Sequence, residues 1–455
     1  MRQRVMRMAM AAGACTVALL LALTMCGGDN RSAAKNSSRT TAPPSPPPPT
    51  QLTVPAGYGP RPHWEVSDAS PEQAFARVGG RMAYLERMPG GRFRMRTLDV
   101  TTGRPGWTGR PWHPPTGLDR SASEGSAASA GSGAPPRFPR LLGVAKDGRE
   151  FFVAWSFGRA GDDRLAEADT FLVLDIYGAR DGARRRVELP WTGAPTVSGT
   201  GPGVLITDGR TRNAVVDPMS GEVVKLAENA LAYPKGCAGC RRLTEIRAIT
   251  TQGLLLSGES GFWVRGGWYS GKVAPSGTNP ASGTPTSVAP GLLLSRWQPA
   301  KKRKDVRTHE VWAVHDITSG KLLVQTRCHK PAIEPGEYPQ AAISPKAGYL
   351  VAGHLAFDLT RRKAYCFEQP DGSQRLLLTT VTDSGTAYGA TGVRGAAEAL
   401  AGGGTPVQLE LTRPVPQPLA PQVRLPQAEV AGVGIFGWTD ARDRLHLLGH
   451  VRRTP

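Results

Sequence analysis

Long apolar runs are nearly missing from this chain of 455 residues. Only the uncharged stretch 8–28 reaches the length of a bilayer span, so a protein built of many membrane-spanning helices is excluded. No segment keeps the 3.6-residue apolar period of a packed helix over several turns, which argues against a helical bundle. No Gly-x-y period runs through the 55 glycines and 40 prolines, so their abundance means turns rather than a collagen-like rod. Common catalytic signatures are absent as well: no His-Glu-x-x-His, no Gly-x-Ser-x-Gly, no phosphate-binding Gly-Lys-Ser/Thr loop and no calcium loop of alternating Asp. What remains is 40% apolar residues, enough to build a core.

Acidic residues are the scarce charge. There are 37 of them against 56 basic residues, giving a net charge of +19 and a pI near 10.1. Lys supplies 12 of the basic residues and Arg the rest, a bias that resembles codon usage in GC-rich bacteria. A surface of this charge attracts polyanions, and salt screens the attraction. For a chain exported from the cytoplasm the expected partners are anionic envelope polymers, the membrane surface or an unknown protein; nucleic acid is set aside.

Export is read from the N-terminus. Arg2, Arg4 and Arg7 precede an uncharged run whose apolar centre is Val17 to Leu23. Such a positive end stays inside while the remainder crosses. Leu23-Thr24-Met25-Cys26-Gly27-Gly28 resembles the end of a bacterial lipoprotein signal, which implies cleavage before Cys26 and lipid attachment to it; Met25 stands where that signal carries a small residue. The alternative is an uncleaved signal anchor, since the run is long enough to span. Either way the body is expected at the extracytoplasmic face of the cell membrane. Residues 1–25 are then a signal segment and 26–55 a disordered Ser/Thr/Pro stalk containing Pro43 to Pro49, whose composition favours a stiff polyproline II spacer.

From residue 56 to 455 the chain reads as one all-β domain. Short apolar runs such as Arg81-Met82-Ala83-Tyr84-Leu85, Phe151 to Trp155 and Gly348 to Ala352 are punctuated by Gly, Pro and Asp. A repeat organises them: an apolar strand, then Asp-x-x-Ser/Thr-Gly, then another strand. Its Asp stands at Asp99, Asp217 and Asp316, in a degraded copy at Asp358, and in a longer variant that starts at Asp175 and ends at Asp181-Gly182. A further degraded copy is Gly267 to Lys272. The Asp is expected to accept backbone N–H bonds two and three residues on, and the Gly to supply the positive φ of the hairpin. Ser121 to Pro136 reads as a loop insertion. A period of 40–50 residues with several strands each is that of a propeller blade. The pattern resembles quinoprotein-type β-propellers, and more loosely WD-type and surface-layer-type ones. The strand count gives a single β-propeller of eight blades, or seven if the last two strand groups merge. Residues near His63-Trp64-Glu65-Val66 are expected to complete the last blade. Ala396 to Gly404 and Pro414 to Pro426 read as loops.

Cys237, Cys240, Cys328 and Cys366 are expected to form disulfides in an exported chain. Cys328 and Cys366 follow equivalent turns in consecutive blades, so they pair, with Cys328 in the loop leading to the next blade. Cys237 then pairs with Cys240 within its loop. A redox or zinc site is the competing reading of Cys-x-x-Cys, but neither the strand-to-helix context nor a matching ligand pair is present. His446 and His450 stand four apart on a strand, about 13 Å along it, too far to share one zinc ion. Trp107 and Trp112 could stack on sugars or pack between blades. The basic run Lys301, Lys302, Arg303 and Lys304 reads either as a polyanion-binding tip or as a solvated hairpin end.

The quinoprotein resemblance implies a cofactor held by adjacent cysteines and acidic ligands, and this sequence has neither. No catalytic residue, metal or cofactor is therefore assigned. The expected function is that of a tethered, non-enzymatic binding or assembly scaffold. The alternative is a propeller enzyme, a quinoprotein-like oxidoreductase or a polysaccharide-acting enzyme, with its site in the central funnel.

Overall fold

In the computed structural model the described residues are 51–75, 79–115, 139–159, 170–209, 212–227, 231–235, 237–301, 305–331, 338–368, 376–440 and 444–453. The signal segment, Cys26, most of the stalk and the insertion 121–136 lie outside them. The folded unit runs over residues 49–455. No helix among the described residues is long and apolar enough to cross a membrane.

Strands follow one another as antiparallel meanders. The first is β1 (Trp64–Phe75), β2 (Arg81–Arg87), β3 (Phe93–Asp99) and β4 (Pro105–Thr108). Next come β5 (Arg140–Lys146), β6 (Arg149–Arg159), β7 (Thr170–Gly178) and β8 (Arg184–Pro190), then β9 (Thr196–Ser198), β10 (Val204–Thr207), β11 (Asn213–Val216) and β12 (Val223–Leu226). A three-stranded sheet holds β13 (Glu245–Ile249), β14 (Leu254–Gly258) and β15 (Gly261–Val264), followed by the short helix α1 (Ser270–Val273). Four-stranded sheets resume with β16 (Thr284–Ala289), β17 (Leu292–Trp297), β18 (His309–Asp316) and β19 (Leu322–His329), and with β20 (Ala342–Ile343), β21 (Tyr349–Ala352), β22 (Leu355–Asp358) and β23 (Lys363–Cys366). The next holds β24 (Leu376–Val381), β25 (Thr386–Thr391), β26 (Thr405–Glu410) and β27 (Arg413–Pro418), with α2 (Ala396–Leu400) between β25 and β26. The chain ends in β28 (Ala428–Val430), β29 (Val433–Thr439) and β30 (Leu445–Val451).

The second strand of most sheets is apolar at consecutive positions because both of its faces are buried. Successive side chains of a strand point to opposite faces. Ala83 and Leu85 therefore join Phe152, Ala154 and Tyr177 of the next sheet, while Met82 and Tyr84 join Val433, Ile435 and Leu447 of the last one. The same split recurs at Leu255 against Leu254 and Leu256, at Leu293 against Leu292 and Leu294, and at Val351 against Leu350 and Ala352. Each core cluster is shared by two successive sheets.

The two chain ends meet in one sheet. Trp64, Glu65 and Val66 pair with Gly449, Leu448 and Leu447, while Gln73 to Phe75 at the far end of β1 pair with Tyr84 to Met82. Tyr58 bridges to Arg452, and its hydroxyl donates to Glu429 at 2.8 Å; Arg452 holds the same carboxylate at 3.0 Å. Leu52 and Val54 pack beside this network. Sheets stacked face to face in chain order, with the last strands returning to the first, make a β-propeller.

Two segments read as loops carry regular structure instead. Residues 396–400 form α2. Residues 413–418 form β27, pairing Gln417 with Gln408 and Pro418 with Val407. Pro414, Pro416 and Pro418 lack N–H donors, which an edge strand tolerates because one side has no partner to bond.

Candidate binding face

The turns between third and fourth strands build one face of the ring. Asp99 Oδ1 accepts from the Thr102 N–H at 2.9 Å and from the Thr101 hydroxyl at 2.7 Å. Asp316 accepts from the Ser319 N–H and hydroxyl, both at 2.7 Å, Asp217 from the Met219 N–H at 2.8 Å, and Asp358 from the Arg361 N–H at 2.8 Å. The Thr101 hydroxyl, with neighbouring N–H groups, holds the Asp99 carboxyl below its usual range. At Asp217 burial acts the other way, but the Lys146 ammonium, 2.6 Å away, wins and lowers it.

Asp175 does not belong to this set. β7 continues past it to Gly178, so Asp175 lies within a strand, buried, where it binds Arg184 Nε at 2.9 Å and Nη2 at 2.7 Å. Burial pushes its pKa up, against those arginine contacts. The turn of this sheet is made by Asp181, which accepts from the Ala183 N–H at 3.0 Å. The degraded copy at Gly267 to Lys272 also departs from the pattern. Tyr269 makes a single bridge to Trp263 and the chain then turns into α1, leaving that sheet with three strands.

Indoles lock turns to neighbouring sheets. Trp64 Nε1 donates to the Val100 carbonyl at 2.7 Å, Trp107 to Ala179 at 3.0 Å, and Trp268 to Ile317 at 3.1 Å. Each acceptor follows the last residue of a third strand. The turn glycines have two reasons to be glycine. Gly103 and Gly320 have φ of +67° and +73°, and a Cβ there would come within 2.4 Å of Trp64 and 2.5 Å of Trp268. Trp107 also stacks on Tyr177 at 5.4 Å, and Trp112 is buried in the same cluster, so both pack between sheets.

A groove opens on this face. Near the ring centre a cavity of about 260 Å³ is lined by the ends of β1, β5 and β9 and by hairpin residues as far round as Gly291; Lys146, Asp147 and Glu150 are its charged residues. It shares Glu150 and Phe151 with a larger cavity of about 540 Å³ running outward over β6 to β8. Arg81, Arg149, Arg180, Arg184 and Arg185 line that second cavity against Glu150 and Asp181. Some of these cations are committed: Arg184 to Asp175, and Arg185 to the Met219 carbonyl. Arg149 and Arg180 are exposed and have no ion-pair partner among the described residues. The groove thus offers guanidinium groups on a curved wall with apolar Phe151, Ile176 and Met219 beneath, a surface suited to carboxylate, sulfate or phosphate groups. Sequence reasoning missed it, because these arginines come from three sheets and share no local pattern.

Cys237 and Cys240 are disulfide-bonded with Cα atoms 5.4 Å apart, and Cys328 and Cys366 with Cα atoms 5.9 Å apart. Cys328 lies within β19, paired opposite Glu310, rather than in the following loop, because β19 keeps its pairing with β18 as far as His329. Lys301 is exposed; Lys302, Arg303 and Lys304 lie outside the described residues. His446 and His450 have separate partners: Glu65 at 3.0 Å for the first, the Gly59 carbonyl at 2.7 Å for the second.

No protein-family model matches the sequence, and no curated protein does. Solved structures with similar strand arrangement include the acylaminoacyl peptidase of Pyrococcus horikoshii (TM-score 0.36, 11% identity, 84% of this chain and 50% of that one) and a chain of the mitotic checkpoint complex (TM-score 0.36, 10% identity, 92% and 100%). A third is the β-propeller domain of the Trilobed protease from Pyrococcus furiosus (TM-score 0.31, 11% identity, 78% and 98%). The chain spans about half the length of the peptidase. The reading of function therefore rests on this chain's own residues.

Proposed function

We propose that the chain is an eight-bladed β-propeller, tethered at the extracytoplasmic face of the cell membrane, that works as a binding scaffold for an anionic envelope polymer. The single observation that carries this is the arginine-lined groove with its unpaired Arg149 and Arg180. The blade count is supported by the core clusters, each lying between successive sheets, and by β1, whose two ends pair in different directions and so serve the last blade and the first. The tether is supported by Arg2, Arg4, Arg7 and the run ending at Cys26.

The test is binding of the purified chain to a polyglycerol phosphate and to an uncharged dextran. Binding to the phosphate polymer that weakens steeply with salt is expected. Equal binding to both, or binding to neither, contradicts the proposal. Tethering has its own test: Cys26→Ala should abolish labelling by a lipid precursor, and label that survives removes Cys26 as the attachment point.

A second reading is an enzyme of the central funnel, favoured by Asp147 and Glu150, which line the same cavity. Glu150 already accepts the Gly79 N–H at 3.1 Å. Turnover of a polysaccharide that is lost in Glu150→Gln and Asp147→Asn would establish this reading over the first.

A further inference from the structure

Between the sheet of β16–β19 and that of β20–β23, three side chains from separate strands and loops converge. Cys328 comes from β19, Cys366 from the end of β23, and His354 from the tight turn between β21 and β22. One ligand atom of each lies within 4.8 Å of the other two. Cys328 is fully buried, and His354 is 7% exposed. The His354 ring is held edge-on to Trp312 at 6.1 Å, and its carbonyl accepts the Phe367 N–H at 2.9 Å, which ties it to the residue after Cys366. Its Nε2 is buried with no hydrogen-bond partner. A buried imidazole nitrogen left unsatisfied costs free energy that a ligand at that atom would recover.

Here the sulfurs are joined as a disulfide. We propose that on reduction this joint becomes a Zn²⁺ site of the Cys₂His type, made by Cys328, Cys366 and His354 Nε2, with the fourth position left to water. The chemistry balances in two steps. A dithiol reductant gives two electrons and two protons to the Cys328–Cys366 bond, which becomes two thiols while the reductant becomes a cyclic disulfide. Zn²⁺ then displaces one proton from each thiol and takes the lone pair of neutral His354. Tetrahedral Zn²⁺ with sulfur at about 2.3 Å sets its thiolates about 3.8 Å apart. Backbone positions 5.9 Å apart allow this by side-chain rotation. Negative potential from Glu368, which His329 anchors through its N–H at 2.7 Å and its Nδ1 at 2.8 Å, favours a cation at this joint. Sequence spacing does not show the site, because its ligands are spread over 38 residues and the middle one stands in no motif.

The test uses the full chain carrying Cys237→Ser and Cys240→Ser, so that the other dithiol cannot bind metal. After reduction by a phosphine, Co²⁺ is added as a spectroscopic probe and then displaced by Zn²⁺. One Co²⁺ per chain is expected, with thiolate-to-cobalt charge-transfer absorption and the visible bands of tetrahedral cobalt. His354→Gln should weaken binding at least as much as loss of an outer-sphere partner does, about 10–100-fold. Zn²⁺ should raise the melting temperature of the reduced chain and leave that of reduced His354→Gln unchanged. Absence of the cobalt bands, affinity unaffected by His354→Gln, or loss of the fold on reduction before metal is added would each overturn the proposal.

Discussion

Where β1–β4 meet β5–β8, the sheets are held by rings: Trp107 stacked on Tyr177, Trp112 buried beside them, and Arg184 within 6.0 Å of the Trp112 ring. Where β16–β19 meet β20–β23, they are held by a disulfide and packed around a histidine. The first joint closes by packing below its rim, and the rim stays free to carry exposed arginines. The second draws sulfur and imidazole into the core and shows no comparable groove. The difference separates two tasks within one repeated architecture. Aromatic closure leaves a surface that can bind, and covalent closure makes an interior that can be switched.

Loss of the buried ring should have the largest effect. Trp112→Ala empties the first joint and is expected to cost about 3–5 kcal/mol in chemical denaturation. A cost as small as that of a surface residue would mean the joint is held elsewhere. The two disulfides sharpen the contrast further. Cys328→Ser opens a bond spanning 38 residues and should cost about 4 kcal/mol by the chain-entropy relation, whereas Cys237→Ser opens one spanning 3 and should cost about 1.5 kcal/mol. Equal costs would break the comparison.

Asp99→Ala removes the bonds that shape a turn on the rim and should cost about 1 kcal/mol by the same measurement, with the ring intact. A smaller, pH-dependent effect comes from buried histidines. Burial lowers the pKa of His315 and of His450 below the ordinary 6.5, while the Gly320 and Gly59 carbonyls pull weakly the other way. The unfolded chain therefore takes up protons that the folded one refuses. Stability should be undiminished above about pH 6.5 and should fall as pH drops below it, toward the lowered native values. His315→Gln combined with His450→Gln should flatten that slope; an unchanged slope assigns it to other groups.

Much of the fold was legible because it is written locally. Asp99, Asp217, Asp316 and Asp358 mark turns whose geometry depends on a few adjacent residues, and His63-Trp64-Glu65-Val66 shows the alternation of a strand that needs a partner. Asp175 misled because its letter is local but its role is not: Arg184 and Arg186 on the paired strand decide it. The strand at Arg413–Pro418 was hidden by prolines, whose penalty vanishes only at a sheet edge. The groove and the Cys328–His354–Cys366 cluster were not legible at all. Their members are brought together by blade stacking, which no short window of sequence encodes.

The central claim is that the exposed arginines of the first joint, and not the net charge of +19, bind the polyanion. The direct measurement is the affinity for polyglycerol phosphate of Arg149→Glu/Arg180→Glu, beside a control that reverses the same number of charges away from the groove, Lys363→Glu/Arg413→Glu. The account predicts at least about a tenfold loss and a shallower salt dependence for the groove pair, with the control close to the unaltered chain. Equal losses in both would contradict it and reduce the interaction to overall charge.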